Sequence, residues 1–268
     1  MEIKALPEKS RFIRRELLKM IHAGGSGHPG GSLSVTDILV ALYYHEMQID
    51  PNQPNSPDRD RLFLSKGHAA PAQYCVLADM GFFPQSWKEG FRKYGGKLQG
   101  HPDKKKVPGI ESCSGSLGQG TSVAVGAAMA GKLSKKNYRV FLIVGDGEIQ
   151  EGQTWEAAMA ASHYKLDNLI WIVDNNGLQI DGTNDQVMSL GNIAEKYRAF
   201  GFEVFEVDGH DYQALIDAIH IPVSGKPKCI VAHTVKGKGV SFMENQVAWH
   251  GHAISDDQLK AALEDLGE

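Results

Sequence analysis

YRVFLIVGDGEIQEGQTWEAAMAASHYKLDNLIWIVDNNG, residues 138–177, holds the pattern that decides the fold. Two uninterrupted apolar runs, residues 140–144 and 169–173, stand on either side of a helical stretch near residues 154–164. A run with no polar alternation marks a strand buried on both faces, as in a parallel sheet. Runs at 202–207 and 229–232 continue the alternation, with helices expected near 192–200 and 212–219. Right-handed crossovers then place helices on both faces of a parallel sheet, which makes the chain an α/β protein.

Upstream, Phe12, Ile13, Leu17, Met20 and Ile21 recur at helical spacing and predict an amphipathic helix ended by Gly24-Gly25. A glycine-rich loop is expected from Ser26 to Ser32, followed by a helix over about 35–47 whose cap Ser34 and Asp37 resemble. Pro51, Pro54 and Pro57 put residues 50–60 in a surface loop. A short strand at 61–64 leads into a helix after Gly67-His68. The Gly- and Ala-rich stretch 118–133 suits a helix packed closely on its neighbours. Near the end, Ser255 and Gln258 read as a capping box for a final helix of about ten residues. With 268 residues, 42% apolar content and no internal repeat, residues 1–268 are read as a single domain.

A formal charge of -4, from 28 basic and 32 acidic residues, excludes an electrostatic footprint for nucleic acid. The run Lys104-Lys105-Lys106 is too short to change that and reads as solvated loop. Charges interrupt the apolar positions of the amino terminus every few residues, so it is neither a signal peptide nor a membrane span. Cys75, Cys113 and Cys229 are odd in number and widely spaced, which fits neither a disulfide framework nor a zinc site. A reducing, cytoplasmic setting is expected.

The chemistry centres on the same stretch. Gly145-Asp146-Gly147 follows one predicted strand and Asn175-Asn176 follows the next, both at carboxyl ends, where open α/β sheets bind ligands. A carboxylate and an amide oxygen are hard ligands suited to Mg²⁺, which also takes oxygens from a diphosphate. Gly147 lets the backbone approach that diphosphate. The span 145–176 resembles the thiamine-diphosphate fingerprint, which opens with Gly-Asp-Gly and closes with Asn about thirty residues later. The resemblance implies a thiamine-diphosphate-binding fold, with thiamine diphosphate and Mg²⁺ (or Ca²⁺) as cofactors. Asp146 and Asn176 would supply metal oxygens, the backbone carbonyl of Leu178 the third, and Ile180 would lie against the cofactor, with Gly145 and Gly147 at the diphosphate. Either Asn175 or Asn176 could match the closing Asn; alignment back from Ile180-Asp181-Gly182 favours Asn176.

Other motifs narrow the family. Ser26-Gly27-His28-Pro29-Gly30-Gly31, Ser65-Lys66-Gly67-His68-Ala69, Gly100-His101-Pro102 and Gly115-Ser116-Leu117-Gly118-Gln119-Gly120 resemble transketolase motifs in the family's order. So do Gln150-Glu151-Gly152, Lys236-Gly237-Lys238-Gly239 and Trp249-His250-Gly251. The resemblance implies that His68 and His250 hold the diphosphate or face the thiazolium. His28 and His101 would contact hydroxyls of a ketose donor and the developing oxyanion. A neutral imidazole suits these tasks because it both donates and accepts, and its reference pKa of about 6.5 suits proton transfer. His22, His45, His163, His210, His220, His233 and His252 are expected to be structural. Gly115 and Leu117 would contact the aminopyrimidine through their backbones, and Ser116 stands where the family commonly has Pro. Glu151 would belong to a carboxylate network between the two active sites of a dimer, although helix-end electrostatics alone could account for its position.

The activating carboxylate for the cofactor's pyrimidine comes, in transketolases, from a second α/β domain. Residues 1–268 carry no second set of strands and helices. The expectation is therefore the first chain of a split transketolase, preferred over an excised domain of a longer one, transferring a two-carbon ketol unit from a ketose, phosphorylated as in the pentose phosphate pathway, to an aldose. Its partner would be a carboxyl-terminal subunit with the pyrimidine-side domain, assembled as two copies of each chain. The alternatives are a split enzyme for an unusual sugar, a 2-oxo-acid dehydrogenase alpha subunit, and a non-catalytic paralogue that keeps the cofactor fold. The second lacks the motifs around His28, His68 and His101, and the third would be marked by a lost ligand or histidine. Asp146 is expected to be solvated at its strand end.

Overall fold

A computed structural model describes residues 1–268. In chain order the elements are α1 (Leu6–Gly24), α2 (Pro29–Ala41), β1 (Arg61–Leu64), α3 (Ala70–Asp79), α4 (Gln119–Leu133), β2 (Val140–Gly145), α5 (Gly152–His163) and β3 (Leu169–Asn175). There follow a small hairpin, β4 (Leu178–Gln179) and β5 (Gly182–Thr183), then α6 (Asn184–Val187), α7 (Ile193–Ala199), β6 (Glu203–Asp208), α8 (Tyr212–His220), β7 (Lys228–His233) and α9 (Asp256–Asp265). The main sheet is wholly parallel, in the order β1-β2-β3-β7-β6.

Alternate residues of each strand feed two cores, as a sheet covered on both faces requires. Phe141, Ile143, Ile170, Ile172 and Ile230 face the larger core with α1, α2, α3 and α8. Val140, Leu142, Val144, Trp171 and Val173 face the smaller one with residues of α4, α5 and α7. The expected strands and helices are all present and, the second helix apart, their ends are displaced by a residue or two. The final helix carries its capping box: Ser255 Oγ accepts from Gln258 N and the Gln258 side chain accepts from Ser255 N.

One expectation fails. The second helix begins at Pro29 rather than near residue 35, so half of the predicted glycine loop is its first turn. Proline is preorganised for that first position. Gly30 fits because a Cβ there would lie 2.7 Å from the Trp249 carbonyl oxygen, and all thirteen residues of α2 are buried, so packing outweighs weak helix propensity. Ser34 and Asp37 therefore cap nothing. Ser34 Oγ donates to Asp174 Oδ2 at 2.7 Å, and Asp37 is bound by Arg14, His210 and Tyr212.

Candidate active site

The carboxyl ends of β1, β2 and β3 deliver Ser65-Lys66, Gly145-Asp146-Gly147 and Asn175-Asn176 to one edge of the sheet. There a cavity of about 340 Å³ opens, and every site residue named above lines it: His28, His68, His101, His250, Glu151, Gly115, Leu117, Gly145, Asp146, Gly147, Asn176, Leu178 and Ile180. Asn175 turns away, its Nδ2 lying 3.2 Å from His233 Nδ1, so geometry also favours Asn176. Ser116 is exposed and lies outside the cavity lining. Ile180 stands at the rim, 64% exposed.

Four loops bring the imidazoles together. The His28 ring lies 5.2 Å from His68, 5.6 Å from His250 and 6.2 Å from His101, and His68 lies 5.1 Å from His250. Burial is the main reason that all four pKa values are lowered. His28 falls to about 4 and His250 to about 3, with nearby cations adding to the effect: Arg92 for His28 and Lys236 for His250. His68 is pushed well below its ordinary value by burial and by Lys66, and His101 is lowered by burial and Arg92. All four are thus neutral near pH 7. Lys236 Nζ lies 3.0 Å from His250 Nδ1, which makes that nitrogen the acceptor and leaves the proton on Nε2. Of the histidines expected to be structural, His22, His45, His210, His220 and His233 find partners elsewhere, and none lines the cavity.

Beneath the cavity floor lies a framework of buried charge that the motifs alone did not reveal. Asp174, wholly buried, accepts from Lys66 Nζ, Ser34 Oγ and Thr234 Oγ1, tying β3 to β1, α2 and the segment after β7. Glu148 accepts from Ser65 Oγ, from Gly118 N at 2.9 Å and from Gly145 N at 3.1 Å, so one carboxylate holds three cavity loops. Burial raises its pKa against those hydrogen bonds. The available signal was a charge directly at the end of a predicted buried strand, as at Asp174.

Asp146 corrects a second expectation. It is 2% exposed rather than solvated, and accepts from Gly147 N at 2.8 Å and from Gly177 N. Burial raises its pKa to about 6, helped by the negative charge of Asp174, while the two amides pull it down. Lys66 and Lys236 act on it from the cavity wall but neither forms an ion pair with it, and a buried carboxylate without such a pair fits a bound cation. The neighbouring oxygens are of the right kind: Asn176 supplies an amide oxygen and Leu178 a carbonyl that accepts from Lys236 Nζ at 3.2 Å. No cluster of three His, Cys, Asp or Glu side chains occurs; an oxygen set with one acid needs none and suits a hard divalent ion. Gly147 also relieves crowding within the chain, since a Cβ there would lie 3.2 Å from Gln179 Cβ.

Fold and cavity together define an α/β domain with a polar cavity at the carboxyl edge of its parallel sheet. Residues 8–268 match the family described as "Transketolase, thiamine diphosphate binding domain". The chain belongs to the transketolase family. It is 40% identical over 263 residues to one of the subunits of the apulose-4-phosphate transketolase of Actinobacillus succinogenes, covering 97% of this chain and 95% of that one. The 6-deoxy-6-sulfo-D-fructose transketolase subunit SqwG of Clostridium sp. strain MSTE9 is 42% identical over 263 residues, 97% of this chain and 96% of that one. The crystal structure of transketolase from Campylobacter jejuni superimposes with a TM-score of 0.92 at 34% identity, over 100% of this chain and 43% of that one.

Proposed function

We propose that this chain is the diphosphate- and metal-binding subunit of a two-chain transketolase, moving a two-carbon ketol unit from a ketose donor to an aldose acceptor. The observation that carries the reading is the convergence of four neutral imidazoles on the cavity that also holds Asp146, Asn176 and Leu178. Asp146, Asn176 and the Leu178 carbonyl would hold Mg²⁺ or Ca²⁺, and the metal would hold the diphosphate of thiamine diphosphate together with His68, His250 and the backbone at Gly145 and Gly147. When bound, the cofactor supplies the carbon centre that carries the ketol unit between sugars.

The chain's own residues would do the rest. His28 and His101 would donate to sugar hydroxyls and to the oxygen that gains charge, and neutral rings do this without a proton loss. Gly115 and Leu117 would meet the aminopyrimidine. Glu151, exposed at the N-cap of α5, would face the same residue of a second copy or the partner chain. The pyrimidine-activating carboxylate would come from a carboxyl-terminal subunit, in an assembly of two copies of each chain. The three free cysteines support a cytoplasmic setting, and no helix is long and apolar enough to cross a membrane. The names of the two subunit relatives carry a phosphate and a sulfo group on the sugar, which supports an anionic ketose, of an unusual kind, over the common pentose phosphates.

The test is a ketol-transfer assay with Mg²⁺ and thiamine diphosphate, run with this chain alone and with the pyrimidine-side chain added. Activity is expected only in the mixture. Full turnover by this chain alone sinks the two-chain reading.

A further inference from the structure

One arginine, in none of the motifs above, contacts His28 from outside the cavity lining. Arg92 Nη2 lies 3.3 Å from His28 Nδ1, and Arg92 Nη1 lies 3.1 Å from Ser26 Oγ. A guanidinium carries only donors, so Nδ1 has to be the acceptor, and a neutral ring then keeps its proton on Nε2. That nitrogen lies on the other side, where a Cβ on Gly251 would come within 3.5 Å of it.

The arginine is set for this task by its backbone. Arg92 has a φ of 55°, a left-handed conformation that a long side chain adopts only under constraint. Its N–H donates to Leu98 O at 2.9 Å, closing the loop. The guanidinium lies against Gly100, where a Cβ would sit 2.6 Å from Cζ. This gives the Gly of Gly100-His101-Pro102 a physical reason: it admits the arginine. The groups facing His28 are Arg92, His68, His101, His250 and Lys236, and none of them is an acid. Nothing in that shell favours a protonated ring.

We propose that Arg92 is a positioning residue that holds His28 as the Nε2–H tautomer, so that His28 presents a hydrogen-bond donor to an oxygen of the ketose. The ketose part rests on the transketolase reading; the tautomer does not.

The experiment is nitrogen NMR of the full chain labelled with ¹⁵N-histidine, with His28 assigned from the His28→Gln spectrum, followed by donor kinetics of the assembled two-chain enzyme. In the wild-type chain at neutral pH, His28 should show an unprotonated Nδ1 and a protonated Nε2. Arg92→Met should give a mixture of tautomers. It should lower kcat/KM for the donor by about two- to tenfold, the worth of one hydrogen bond, with cofactor affinity unchanged. Loss of the arginine's charge should also move the acid limb of the donor profile to higher pH, and Arg92→Lys should partly restore it. A proton on Nδ1 in the wild-type chain overturns the proposal, and that spectrum decides even if Arg92→Met fails to fold. An unaltered tautomer and donor profile in Arg92→Met overturn it as well. The expected tautomer without any ketol transfer by the assembled enzyme supports the positioning role and defeats only the transketolase reading.

Discussion

The two ends of the sheet differ in how completely the protein pairs its own buried charge. At the amino ends, Arg139 donates to the carboxylates of Glu46 and Asp60, and Asp60 also accepts from Gln48 N and Arg139 N. Lys228 Nζ donates to three carbonyls at the end of α8, those of Ala218, Ile219 and Ile221. Each of these buried charges is saturated by the protein itself. At the carboxyl ends Asp174 and Glu148 are saturated as well, but Asp146 meets only two backbone amides, and Lys236 only a carbonyl and an imidazole. Saturated charge fixes a fold, whereas buried charge left short of partners is poised for a ligand. On the proposed function, the same strands serve stability at one end and binding at the other.

The largest effect that could break this contrast is at Asp146. Asp146→Ala should abolish binding of thiamine diphosphate and Mg²⁺ in the assembled enzyme, a loss beyond the roughly 10–100-fold caused by changes behind a metal ligand. Because the carboxylate is buried on two amides, the substitution should also cost about 1–3 kcal/mol of stability from the donors left unpaired. Calorimetric titration checks the first and chemical denaturation the second. Unchanged cofactor affinity would remove Asp146 from the metal site.

At the other end the expectation inverts. Arg139→Met leaves Glu46 and Asp60, whose side chains are 5% and 3% exposed, without their guanidinium. Breaking such a pair costs about 3–5 kcal/mol when fully buried; with Arg139 itself 29% exposed, about 3 kcal/mol or less is expected. Denaturation should show that loss, while cofactor affinity of the folded fraction stays at the wild-type value. A variant with normal stability and weakened cofactor binding would erase the distinction between the two ends.

Much of this was legible in residues 138–177, because a strand buried on both faces leaves an unbroken apolar run and the residues just past it are the ones delivered to the site. The histidines were legible as motifs, and their convergence follows from all four loops ending at the same edge. What stayed hidden depended on tertiary packing. The start of α2 was misplaced because Gly30 and Gly31 read locally as loop, whereas the approach of Trp249 and His68 to them is long-range. Asp146 was misread as solvated because sequence position at a strand end says nothing about the segment from Gly177 that folds over it. Glu148 and Arg92 act through backbone amides and a ring nitrogen, partners that no spacing rule exposes.

The smallest effect sharpens the contrast through pH. His28 and His250 have pKa values of about 4 and 3 in the fold, against an ordinary value near 6.5 in the unfolded chain. Between those values the unfolded chain binds more protons than the folded one, so stability falls as the pH falls from about 6.5 towards 4 and is fully present above 6.5. This acid sensitivity is a cost carried by the carboxyl end, where burial and the cations Arg92 and Lys236 keep the rings neutral. The melting temperature of the cofactor-free chain should therefore drop on acidification from pH 7 to pH 5. The double variant His28→Gln, His250→Gln should show a shallower drop, since two of the depressed groups are gone. An equal fall in both proteins would mean that acid sensitivity lies outside the cavity and that its imidazoles are not held neutral by the fold.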